Sequence, residues 1–315
     1  MRLDLATAFL LIAFTLGCAE TPREDLEPAV TPSAPAGRII VAGEEVPIDA
    51  RVVTWRDAGG YDGSCETCWF DRSRVAPRRP AEGCEGPRRY GVRHRRGLSE
   101  ATAARIEAGG WDRAALHERV HQFVMHFDAS VSSHRCFEIL HDVRGLSVHF
   151  LLDVDGTIYQ TLDLVHRARH AGWANDASIG IEIAHPGAYA AEGEDWKRFH
   201  EEDELGPYLV APPNFALPPG RWRPARPGVF TAVTNGRRVA MYDYTEAQYR
   251  ALERLAAWAV REFPALLPRV PDSADVIPRA ELEDWAGFLG HHHISKVKVD
   301  PGPAFDWARV LPAAR

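Results

Sequence analysis

From residue 121 onward, short apolar runs alternate with helically spaced segments, and this order constrains the fold more than any other feature. Gln122-Phe-Val-Met-His126 is suited to a buried strand. Ser133 to Val143 places Cys136, Phe137 and Leu140 on one helical face, and Ser147 to Leu152 reads as a second strand. Asp155-Gly156 then offers the glycine that a tight hairpin needs before Thr157-Ile-Tyr-Gln-Thr161. Ser178-Ile-Gly-Ile-Glu-Ile-Ala184 gives a further strand. Thr245-x-x-Gln248 is a capping box, followed by Tyr249, Leu252, Leu255, Ala256, Ala259 and Phe263 at helical spacing up to Pro264. The order strand, helix, strands, helix predicts a single α/β domain with a central mixed β-sheet flanked by helices. The stretch 186–243, rich in Pro, Trp and Arg without periodicity, is expected to be a long insertion that lines a cleft.

Residues 1–18 read as an export signal. Arg2 precedes the apolar run Leu5 to Leu16, which is too short to span a bilayer. It closes on Thr15-Leu-Gly-Cys18, which resembles the lipobox of bacterial lipoproteins and implies cleavage before Cys18 and lipidation of its thiol. A plain signal peptide cut nearby is the alternative, and both readings place the protein outside the cytoplasm. Residues 19–37, dominated by Pro, Ala and Glu, predict a flexible tether. Residues 38–119 form a Cys-containing lead-in, irregular over 51–96, and 120–310 the main domain. In an oxidising compartment Cys65, Cys68, Cys84 and Cys136 predict two disulfides, with Cys65-x-x-Cys68 keeping a four-thiolate zinc site as the alternative.

A formal charge of -7, from 37 basic and 44 acidic residues, argues against nucleic acid as a partner. The run Arg88 to Arg96 is the local exception, read as a solvated loop or as a contact with an anionic polymer.

The stretch Gly290-His-His-His-Ile bears on chemistry. Zinc hydrolases commonly use three nitrogen or oxygen ligands and leave a fourth position for water. Neighbouring residues point in different directions, so one histidine of the run joins an ion and the others do not. His291 with Asp300 of Asp300-Pro-Gly-Pro303 still needs a partner, and His126 at the end of a buried strand is the natural candidate. Alone, that histidine reads more readily as a hydrogen-bonded structural residue than as a ligand. Glu182 inside an apolar strand is costly unless paired or functional, whereas Lys298 alone reads as a surface lysine.

In combination these residues are recognisable. Val-Met-His126-Phe-Asp, Ser147-Val-His-Phe-Leu-Leu-Asp-Val-Asp-Gly-Thr-Ile-Tyr-Gln160, Arg169-His-Ala-Gly172, Asn175, Ser178-Ile-Gly-Ile-Glu182, Gly290-His-His-His-Ile and Lys298-Val-Asp-Pro-Gly302 follow one another in family order. Across residues 120–308 the chain resembles the zinc-dependent N-acetylmuramoyl-L-alanine amidases related to phage lysozyme-amidases and peptidoglycan recognition proteins. The resemblance implies one zinc ion on His126, His291 and Asp300, with His292 the ligand if the register slips by one. It implies Glu182 as proton acceptor, Lys298 as the cation beside the carbonyl under attack, and His149, His170 and Asn175 around a substrate groove. His149 reads equally as a core histidine satisfied by backbone groups, and His170 and Asn175 as residues that shape the loop before the catalytic strand. Val148 stands where the phage enzymes carry a tyrosine, and the loop from His291 to Asp300 is a residue shorter than in typical relatives. The implied reaction is hydrolysis of the amide between the lactyl group of N-acetylmuramic acid and L-alanine, in peptidoglycan or muropeptides. The expected place is the cell envelope, periplasmic and anchored to the outer membrane through Cys18, with secretion as the alternative. Two rival readings are a non-catalytic module that binds peptidoglycan and an amidase aimed at competitors.

Overall fold

The computed structural model describes residues 37–64 and 89–311. In chain order the elements are β1 (Gly37–Val41), β2 (Glu44–Ile48), β3 (Val52–Thr54), β4 (Tyr90–Val92), α1 (Glu100–Gly109), α2 (Arg113–Arg119) and β5 (Gln122–Phe127). After these come α3 (Ser133–Phe137), β6 (Phe150–Leu152), β7 (Ile158–Gln160), β8 (His166–Ala168), β9 (Ser178–Ile183), β10 (Tyr189–Ala190), β11 (His200–Asp203) and β12 (Gly206–Leu209). The chain finishes with β13 (Phe230–Thr234), β14 (Arg237–Met241), α4 (Glu246–Glu262), α5 (Arg279–Leu282), β15 (Gly287–Gly290), α6 (His291–Ile294) and α7 (Trp307–Val310).

Six strands form the central sheet in the order β15-β5-β9-β6-β7-β3. The run β15, β5, β9, β6 is parallel, β7 is antiparallel to β6, and β3 is parallel to β7, so the sheet is mixed as predicted. Side chains alternate along each strand. Phe123 and Met125 of β5, Ile179, Ile181 and Ile183 of β9 and Phe150 and Leu152 of β6 therefore share one face. There they pack with Tyr249, Leu252, Leu255, Ala256 and Ala259 of α4 in one buried cluster.

The start of α4 is tied to the sheet. Thr245 and Gln248 form the predicted capping box, while Thr245 Oγ1 also donates to Val154 O at 2.7 Å and Gln248 Nε2 to Ala184 O at 2.7 Å. One cap thus satisfies helix donors and the carbonyls just beyond β6 and β9.

The lead-in contributes more regular structure than its composition announces. β1 and β2 meet in a two-residue turn with positive φ at Ala42 (53°) and Gly43 (81°), whose N–H groups donate to Asp163 at 2.8 and 2.7 Å. Gln160 uses its amide like a strand backbone, accepting from Ile40 N at 2.7 Å and donating to Ile40 O at 2.8 Å. Ile39, Val41, Val46, Ile48, Leu116 and Val120 join the main core, and β3 closes one edge of the sheet.

Several local readings change. The helix predicted over Ser133 to Val143 is α only to Phe137 and becomes a π-helical turn over Glu138–Val143. The strand predicted from Ser147 begins at Phe150, because Ser147 bonds sideways to Arg89 O and Arg169 instead of to a neighbouring ladder. Within 186–243 the chain forms a three-stranded sheet, β10-β14-β13, and the hairpin β11-β12, with strands of two to five residues that are too short to show a period. Cys136 is a buried free thiol, which corrects the two-disulfide expectation at that residue; Cys18, Cys65, Cys68 and Cys84 lie outside the described residues. The basic run divides: Arg95 and Arg96 are exposed, as a solvated loop would have them, whereas Arg89 and Arg93 are buried, and Arg93 donates to the carbonyls of Leu164 (2.9 Å), Asp176 (2.6 Å) and Ser178 (3.1 Å). Burial lowers its pKa to about 10, so it stays charged at neutral pH. Among the described residues no helix is long and apolar enough to cross a membrane.

Thr245→Ala removes the cap and the bond to Val154 together. Urea denaturation should show a loss of roughly 1–3 kcal/mol with an unchanged m-value.

Candidate metal centre

Three parallel strands end side by side, which is where open α/β sheets carry their ligands. On β5, Gln122, Val124 and His126 face away from α4, and the register pairs His126 with Glu182 on β9, so both project from the same face. On the other side of β5, Gly290 of β15 pairs with Met125, and the chain turns directly into α6 at His291. A Cβ on Gly290 would collide with the His292 ring and with Pro301, so this strand-to-helix passage requires glycine.

His126 Nδ1 lies 2.9 Å from His291 Nδ1 and 2.9 Å from Asp300 Oδ2, and His291 Nδ1 lies 3.0 Å from Asp300 Oδ2. All three residues are buried, with exposures of 1%, 9% and 4%. Burial, reinforced by the neighbouring His291, lowers His126 to about 4. Burial alone would raise Asp300, yet His291 and His126 hold its carboxyl below the usual carboxylate range. Near neutral pH the contact of His126 with Asp300 is therefore that of a neutral ring and a carboxylate. Two ring nitrogens and an anionic oxygen thus face one point, an arrangement that a single cation satisfies at once.

The far side of His126 is also organised. Its Nε2 is 3.0 Å from His170 Nδ1, and His170 Nε2 is 3.3 Å from Ser178 Oγ. With the His126 Nδ1 lone pair facing the cluster, Nε2–H donates to His170, which passes a donor to Ser178. The His170 ring lies across β9 at Gly180, where any Cβ would strike it. Burial, with His126 and His149 nearby, holds His170 well below its ordinary pKa. Asn175 Oδ1 accepts from His170 N at 3.1 Å and Ala171 N at 2.6 Å, shaping the turn that delivers the ring.

Glu182 is half-buried and has no hydrogen-bond or ion-pair partner among the described residues. Burial, then the carboxylates of Asp300 and Asp128, raises its pKa well above normal, while Lys298 opposes the shift. Lys298 is half-buried on the loop between His291 and Asp300 and is likewise without an ion pair among the described residues.

His149 is fully buried: Nδ1 accepts from Gly180 N at 3.1 Å, so Nε2 carries the proton that goes to His166 O at 2.9 Å. Of its two readings, the backbone-satisfied core histidine fits this geometry. His292 and His293 are buried beside the cluster, the first of the two places, around the ion or in solvent, expected for them. His292 Nδ1 donates to Asp300 O at 3.0 Å, and His293 accepts from Gly290 N at 3.0 Å and donates to Ser273 O at 2.9 Å. Val148 sits in an apolar cluster with Cys136, Leu140 and Leu151. Ser178, Gly180 and Arg93 escaped the sequence reading as site-building residues; the glycine within an apolar strand was the one available signal.

A family model described as N-acetylmuramoyl-L-alanine amidase matches residues 116–303, more than half of the chain. The chain belongs to the N-acetylmuramoyl-L-alanine amidase family. No curated protein matches its sequence. Among solved structures it is similar to a selenomethionine derivative of AmpD, with 20% identity, 80% of this chain and 96% of that one covered, and a TM-score of 0.33. It is also similar to the endolysin amidase LysCS from Clostridium intestinale URNW (15%, covering 62% and 83%, TM-score 0.33). A third is the Drosophila peptidoglycan recognition protein PGRP-SA (14%, covering 56% and 86%, TM-score 0.29). These low scores carry none of the argument. The family match spans the cluster of His126, His291 and Asp300 together with Glu182 and Lys298.

Gly180→Ala should displace the His170 ring and lower stability by roughly 1–3 kcal/mol. Adding His170→Ala should recover most of that loss, a non-additivity that thermal unfolding of the single and double variants measures.

Proposed function

We propose that this amidase-family protein is a zinc-dependent hydrolase that cleaves the amide between the lactyl group of N-acetylmuramic acid and L-alanine in peptidoglycan or muropeptides. The observation that carries the reading is the convergence of His126, His291 and Asp300, whose ligand atoms lie within 4.8 Å of one another, beside Glu182. The residues fit the ion. Tetrahedral zinc with bonds of about 2.0–2.1 Å to nitrogen or oxygen places its ligands roughly 3.3 Å apart, a few tenths of an ångström wider than the triad here.

When bound, zinc would supply Lewis acidity toward water and toward the amide carbonyl at neutral pH. The protein's own residues do the rest. His126 and His291 would hold the ion through ring nitrogens and Asp300 through a carboxylate oxygen. Glu182, free of partners and on the same face as His126, accepts the proton of the attacking water and delivers one to the leaving amine of L-alanine. Burial beside two carboxylates raises its pKa, and a cation on Asp300 would oppose that effect. Lys298 offsets charge on the carbonyl oxygen as it becomes tetrahedral. With the export signal and the lipobox cysteine Cys18, the same proposal places the protein in the cell envelope, on the periplasmic side and lipid-anchored.

The recognition-module reading differs in having no turnover. The decisive experiment incubates the protein with purified muropeptides and follows products by mass spectrometry, with chelator and with zinc restored. Release of the free stem peptide that stops with chelator and returns with zinc is expected. Binding without cleavage by zinc-loaded protein sinks the hydrolase reading.

Glu182→Gln should lower kcat by about 10²–10⁴-fold while zinc uptake stays at one ion per chain. Asp300→Ala should reduce zinc uptake itself, read by metal analysis after gel filtration.

A further inference from the structure

Between His291 and Asp300 the chain leaves α6 through the loop Ser295–Val299, with Lys296 and Val297 exposed. Few backbone bonds hold this loop: Ser295 N to His291 O at 3.0 Å, Lys298 N to Ser295 O at 3.0 Å and His292 N to Asp300 O at 3.2 Å. Three carbonyls in and just before it converge on one side chain from the segment 186–243. Asn235 Nδ2 lies 3.1 Å from His292 O, 3.3 Å from Ser295 O and 2.8 Å from Lys298 O, so two N–H bonds serve three carbonyls. Its Oδ1 accepts from Val276 N at 2.7 Å, which fixes which end of the amide faces the loop.

Asn235 is rigidly presented. It opens the Asn235-Gly236 turn between β13 and β14, with φ of 51° and 72°, and β14 is the middle strand of its three-stranded sheet. Two nearby side chains act in the same way further along: Tyr244 Oη donates to Pro301 O at 2.7 Å, and Arg226, paired with buried Asp243 at 2.7 Å, donates to Ala304 O. The segment, with Tyr244 just beyond it, therefore grips the chain from His292 to Ala304 by its carbonyl oxygens.

We propose that Asn235 is a positioning residue, which sets the loop between the two ligands so that His291 and Asp300 meet His126 and Lys298 faces the reacting carbonyl. The Lys298 part rests on the hydrolase reading above; the loop and ligand part does not.

Asn235→Gly tests it, since glycine keeps the positive φ of the turn and removes only the side-chain bonds. Amide exchange over residues 295–300 should accelerate about tenfold, with or without metal. Zinc affinity, measured by competition with a chromophoric chelator, should weaken by about tenfold or more. With muropeptide, kcat should fall about tenfold at nearly constant KM, and Asn235→Gly should add less than about twofold in a Lys298→Ala background. Asn235→Asp, which keeps the acceptor but aims a carboxylate at three carbonyls, should be at least as damaging; Leu205→Ala, at an exposed hairpin tip, should change nothing. Unchanged exchange and zinc affinity, or full multiplicative effects with Lys298→Ala, overturn the proposal. A wild-type protein that binds zinc but cleaves nothing refutes the hydrolase reading alone, and exchange and affinity still decide the role of Asn235.

Discussion

His126 Nδ1, His291 Nδ1 and Asp300 Oδ2 lie within 3.0 Å of one another, and the elements around them are arranged to hold them there. Without a cation or a shared proton, two imidazole nitrogens and a carboxylate oxygen have no reason to converge, and burying them raises the cost. Such an arrangement survives only where the surrounding fold is stiffer than the cluster is unfavourable. The parallel strands β5, β9 and β15 provide that stiffness, because their ladders and the apolar face against α4 fix where His126, Glu182 and His291 emerge.

Each member of the cluster is then oriented from behind by a different device. His126 is aimed by His170 and Ser178, and that stack exists because Gly180 leaves room for a ring. Asp300 is held through its carbonyl, which accepts from the His292 ring and backbone while its carboxylate stays free for the cluster. The histidine run at 291–293 is thus a divided labour: His291 joins the cluster, His292 secures the backbone of Asp300, and His293 locks the start of α6 to Gly290 and Ser273. Outer contacts of this kind commonly matter to a metal site nearly as much as the ligands.

Much of this was legible in the sequence. Apolar runs of strand length gave β5 and β9, the Asp155-Gly156 turn gave the hairpin before β7, and the capping box gave α4, because each rests on local chemistry that a short window contains. The triad was legible through motif order, and the structure brings His126, His291 and Asp300 together. What the sequence did not show was chiefly non-local. Arg93 lies in a basic run that reads as surface, yet it is buried by carbonyls more than 70 positions away, as its bond to Leu164 shows. The short strands of 186–243 carry no period, so neither the small sheet nor the grip of Asn235 on the loop before Asp300 could be inferred, although Asn235-Gly236 itself signals a tight turn. His149 could not be divided between groove and core until the partners of both its nitrogens were known.

If His126, His291 and Asp300 together hold one ion, anomalous diffraction from crystals grown with zinc should show a single strong peak at the zinc edge, about 2.0–2.2 Å from His126 Nδ1, His291 Nδ1 and an Asp300 oxygen. Crystals that contain zinc but show no peak at this triad, or show it only on other residues, would mean that the triad is not a zinc site.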